Sequence, residues 1–182
     1  MMGYKFLAVG EPSSPAEPGD FLLVRGHTIV SKLIELGERI RFRSGDHWSH
    51  MATFETPDTL IEAVAQGVVR TPASFYDSYD RVLVRARLDA HDVEQVLAFL
   101  RSCLGQGYGF VTFVGIALRI LTPGRGLWFG LNGTEICSGL GMQAQTRGWV
   151  IPRVDPASMT PAEVADLYGV PARVRDARSE PR

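Results

Sequence analysis

The sequence predicts an α+β domain in which an antiparallel sheet packs against helices. Three observations carry this expectation. His50–Glu55 and Thr59–Ala65 are apolar-rich runs joined by Thr56-Pro57-Asp58, the pattern of a hairpin. Arg81–Leu88 alternates valine and leucine with arginine, the pattern of a half-exposed strand. Val93, Val96, Leu97 and Leu100 follow Asp89 at helical spacing, so Asp89 caps a helix that Gly105 stops.

The remaining elements follow in chain order. Tyr4–Val9 reads as a short edge strand, residues 12–19 as a Pro/Ser loop, and Pro18-Gly19-Asp20 as a turn into the strand Phe21–Val24. Thr28 can cap a helix whose apolar side is Ile29, Val30, Leu33, Ile34 and Leu36, ending near Gly37. Val68, Val69 and Arg70 form a third short strand after the hairpin. Phe110–Leu121 reads as a buried helix and 122–133 as a Gly-rich loop. A further helix runs from Ile136 to about Thr146, and Thr160-Pro161-Ala162-Glu163 is a capping box with proline at the first helical position.

A chain of 182 residues can bury the core of one domain. Its formal net charge of -1 gives it no global attraction to nucleic acid or an anionic membrane, and Arg39, Arg41 and Arg43 read as a solvated basic face. Two cysteines, Cys103 and Cys137, do not make a disulfide framework. The first residues lack a signal-peptide apolar region, and Phe110–Leu121 is too short and too interrupted to span a membrane. The expected location is cytoplasmic.

The chemistry centres on Cys137, placed where a helix begins. The positive end of the helix dipole favours the thiolate, the form that attacks carbonyl carbon, and the unpartnered N–H of Cys137 suits an oxyanion. Cys103 falls within the apolar periodicity of its own helix, near the wrong end of the dipole, and reads as core. His50 and Glu62 stand on the two arms of the hairpin, where one face brings their side chains together. A carboxylate there fixes the imidazole tautomer and leaves the other ring nitrogen for a thiol. Glu55 is the competing carboxylate, but its place beside the turn takes it away from the site. His47 and His50 make an H-x-x-H pair on a loop–strand junction, a poor metal arrangement, so neither a metal nor another cofactor is expected. His27 and His91 read as surface residues.

Pro18-Gly19-Asp20-Phe21-Leu22-Leu23, Trp48-Ser49-His50-Met51-Ala52, Ile61-Glu62-Ala63, Tyr108-Gly109-Phe110 and Ile136-Cys137-Ser138, in that order, resemble the permuted NlpC/P60 papain-like family, the YiiX/YaeF-like amidases. The resemblance runs from about Pro18 to Thr146. It implies a circularly permuted papain-like (NlpC/P60) fold, with residues 1–17 as an N-terminal strand and loop, 18–170 as the domain and 171–182 as a charged tail. It implies that Cys137 is the nucleophile, His50 the base and Glu62 its orienting group. Tyr108, His47 and Ser138 are the expected substrate-contacting residues. Gly139 stands where the family usually has glutamate. The implied activity is cysteine-dependent hydrolysis of a peptide or isopeptide amide, such as a cell-wall peptide. Two alternatives stay open: a lipid acyl hydrolase or acyltransferase of the lecithin–retinol type, and a non-catalytic binding module on the same fold.

Overall fold

The computed structural model describes residues 3–7, 10–11, 16–25, 48–64, 66–106, 137–148, 150, 156 and 159–171. The expected helix from Thr28, the expected helix Phe110–Leu121, and the residues His27, His47 and Tyr108 lie outside them.

Among the described residues, six strands form one antiparallel sheet: β1 (Gly3–Leu7), β2 (Phe21–Arg25), β3 (His50–Thr56), β4 (Thr59–Val64), β5 (Gly67–Pro72) and β6 (Asp80–Arg85), in the order β1-β6-β2-β3-β4-β5. Three described helices accompany it: α1 (Ala90–Ser102), α2 (Cys137–Arg147) and α3 (Pro161–Leu167). Asp89 accepts from the Asp92 N–H at the start of α1, and Thr160 and Glu163 complete the reciprocal capping box of α3. These are the local signals that the sequence carries most plainly.

The strand alternation sorts the core into two layers. Phe21, Leu23, Met51, Val82 and Val84 face one side, where Met142, Met159, Val164 and Tyr168 cover them. Ile61 and Ala63 on the same side meet Val96, Leu97, Leu100, Leu140 and Ala144. The other face presents Leu22, Val24, Ala52, Phe54, Leu60 and Leu83, packed with Leu7, Ala16 and two residues of a 3-10 turn (Ala73–Tyr76), Ala73 and Tyr76.

Two glycines position these parts. Gly19, at φ +90°, makes the turn into β2; its N–H donates to the Phe54 carbonyl and its own carbonyl accepts from Gln145 of α2. A Cβ on Gly141 would lie 2.6 Å from the Met51 thioether, so glycine lets α2 settle closely on β3. Asp20, beside Gly19, is buried and accepts from the Ala86 and Glu17 N–H groups and from Arg85, joining the entry of β2 to the exit of β6.

One expectation is corrected. The arginine–valine alternation of residues 81–88 suggests a half-exposed strand, yet Arg81, Val82, Leu83 and Val84 are all buried. The cause is topological: β6 lies between β1 and β2, with a covered surface on both sides. Arg81 is accommodated by donating to the Tyr76 carbonyl at 2.6 Å, to Asp77 at 2.8 Å and to the carbonyls of Tyr79 and Glu11.

Candidate active site

His50 is the first residue of β3 and pairs in register with Val24, whose side chain lies in the layer away from the helices. Glu62 of β4 lies between Ile61 and Ala63, which face the helices, and so points to the same side as His50. Continuing the pairing of Thr53 with Ile61 by one step sets Glu62 across from Ala52 and diagonal to His50. The two side chains meet: Nε2 of His50 donates to Oε2 of Glu62. The Tyr76 hydroxyl donates to the same oxygen. The rings of His50 and Tyr76 stack with centroids 5.8 Å apart and planes 29° apart.

The environment is graded. The Glu62 side chain is 2% exposed and that of His50 is 16%, so the carboxylate is sealed while an edge of the imidazole stays accessible. Burial works to raise the Glu62 pKa, but the hydrogen bond and charge of His50, with further bonds from Thr71 and Tyr76, outweigh it and hold the carboxyl below its ordinary value. A buried carboxylate that remains ionised is suited to hold an imidazole in one tautomer and to stabilise its protonated form. With Nε2 committed to Glu62, base chemistry falls to Nδ1.

Cys137 is the first described residue of α2. The direction of the helix follows from two contacts: Gly141 sits over Met51, and Gln145 reaches Gly19 at the far end, where β3 carries Phe54. Four helical residues back from Gly141 is ~6 Å, or about two strand residues, which sets the start of α2 near the beginning of β3. The helix lies on the opposite face of the sheet from the His50 and Glu62 side chains. The structure thus brings His50 and Glu62 together on one face, with the backbone of α2 on the other.

The other expected residues are placed as follows. Ser138 is buried, and its hydroxyl donates to the Met159 carbonyl at 2.6 Å, fastening α2 to the approach of α3. His91 is exposed on α1, and Cys103 is buried at the end of that helix. Glu55 sits where the β3–β4 register shifts and turns toward the helical side, bound by Arg70 and Arg101. Tyr76 is the contact that sequence reasoning misses. Its signal was faint: three aromatic residues, Phe75, Tyr76 and Tyr79, close together after the strand that pairs with Glu62.

No protein-family model and no curated protein matches the chain. Among the described residues, no helix is long and apolar enough to cross a membrane.

Proposed function

We propose that the protein is a cysteine hydrolase of amide bonds on a circularly permuted papain-like (NlpC/P60) fold, with Cys137 as nucleophile, His50 as base and Glu62 as the group that orients it. The observation that carries this reading is the buried Glu62 carboxylate bonded to His50, the first residue of β3.

In this mechanism Nδ1 of His50 takes the proton from the Cys137 Sγ, and the thiolate attacks the carbonyl carbon. The carbonyl oxygen gains negative charge and is met by the Cys137 N–H at the helix start. Collapse breaks the C–N bond, and the imidazolium returns its proton to the departing amine. Water, deprotonated by Nδ1, then attacks the thioester; the carboxylic acid departs and the thiol is restored. Through both halves Glu62 keeps Nε2 protonated and steadies the imidazolium.

The substrate class is a peptide or isopeptide amide, such as a cell-wall peptide. Incubation with peptidoglycan-derived peptides and, in parallel, with short-chain ester lipids tests this directly. The expected result is amide turnover with an acyl adduct on Cys137, both abolished in Cys137→Ala. An adduct formed only with the ester lipids transfers the reading to a lipid acyl enzyme. A Cys137→Ala protein that still turns over substrate contradicts the mechanism.

A further inference from the structure

We propose that Tyr76 is a positioning residue for the His50–Glu62 pair, its hydroxyl fixing the carboxylate and its ring fixing the imidazole. The inference rests on the reading of His50 as the base for Cys137 and extends it to a residue outside the triad.

Three observations converge on Tyr76. Its hydroxyl and the His50 Nε2–H both donate to one oxygen of Glu62, so the two donors share the lone pairs of that atom and fix its direction. Its ring lies against the imidazole, which opposes rotation of the histidine away from the carboxylate. Its backbone is itself held, because the fully buried Arg81 donates to the Tyr76 carbonyl and to the Asp77 carboxylate. A tyrosine serving only to fill space would need none of these bonds. Phe75 and Tyr79 pack edge-on against the Tyr76 ring, with centroids 5.1 Å and 5.5 Å away.

The groups facing the pair define what a change would do. From β2 the residue opposite His50 is Val24, and from β5 the residue opposite Glu62 is Val69, neither of them titratable. Thr71 of β5 donates to Glu62 without carrying charge. Across the sheet, Val24 is paired in turn with Arg81 of β6, whose charge is matched by Asp77 beside the turn. The Tyr76 hydroxyl competes directly with His50 for Glu62 Oε2. Removing it concentrates the basicity of the carboxylate on the imidazole, which favours the imidazolium.

The test is Tyr76→Phe in the full chain, followed by NMR titration of the imidazole C–H signals. The ring is retained, so the turn keeps its packing, and a melting curve checks this. His50 is expected to titrate higher by about half a pH unit. In the amide assay kcat is expected to fall about tenfold with KM unchanged. Tyr76→Leu, which also removes the ring, is expected to lower kcat further. A Phe variant whose His50 titration and kcat match the wild type overturns the proposal. Because the titration needs no turnover, it reads Tyr76 even if Cys137→Ala proves active, a result that would overturn the triad and not this contact.

Discussion

Glu55 and Glu62 stand on the two arms of one hairpin, both buried and both held ionised, yet their surroundings give them different roles. Glu55 turns to the helical side of the sheet. There the hydrogen bond from Arg70 is the main cause that outweighs burial, and with Arg101 it holds the carboxyl down at about 2. Glu62 turns to the opposite side. There, among the described residues, a histidine, a tyrosine and a threonine satisfy it, and no arginine does. A guanidinium stays charged at every working pH, so Glu55 joins a fixed ion cluster between β3, β5 and α1. An imidazole changes charge near neutrality, so Glu62 joins a pair that can move a proton. The partner, more than the carboxylate, decides whether the ion pair is fixed or can change its charge.

Substitutions of the two glutamates sharpen the contrast. Glu62→Gln is expected to lower kcat about a hundredfold, because the amide can no longer stabilise the imidazolium, while Glu55→Gln leaves kcat within about twofold. Equal losses in both would break the comparison. Next in size is Arg81→Met, expected to destabilise by about 3 kcal/mol in chemical denaturation, because it leaves buried carbonyl groups without their donor. Its effect on activity should resemble that of Tyr76→Phe, since Arg81 holds the turn on the Glu62 side.

Acid stability separates the carboxylates more finely. The Glu55 pKa is depressed in the folded state, so its contribution is fully present above the ordinary value of 4.5 and is lost as pH falls toward about 2. Denaturation of wild type and Glu55→Gln should therefore differ by about 1–2 kcal/mol at neutral pH, a discounted figure because both arginines are half exposed, and the difference should close across that acid window. A gap that persists to the lowest pH would contradict the assignment. The smallest effect belongs to Arg101→Gln, about 0.5 kcal/mol, since Arg70 still bonds both Glu55 oxygens.

What the sequence made legible was local. The turn at Thr56-Pro57-Asp58 and the two-residue period of the strands are enough to set His50 and Glu62 on one face and to draw Glu55 aside. The capping residues Asp89 and Thr160 announced their helices, and Cys137 lies in the helix expected around it. Less accessible were contacts that depend on which strands become neighbours. Arg81 looked solvent-facing until β1 and β2 enclosed its strand. Tyr76 reaches Glu62 only because a 3-10 turn after β5 folds back over the sheet, and nothing in the residues around it states that return. The face on which α2 lies is likewise set by packing, with Gly141 against Met51, and not by any periodicity in α2 alone.

The measurement closest to the central claim is the pH dependence of iodoacetamide labelling at Cys137, located by peptide mass spectrometry so that the buried Cys103 does not contribute. If His50 and Glu62 serve this thiol, Cys137 reacts rapidly below neutral pH as a thiolate–imidazolium pair, and the acid reactivity disappears in His50→Ala and weakens in Glu62→Gln. Labelling that rises only above about pH 8, and is the same in all three proteins, would show an ordinary thiol and contradict the account.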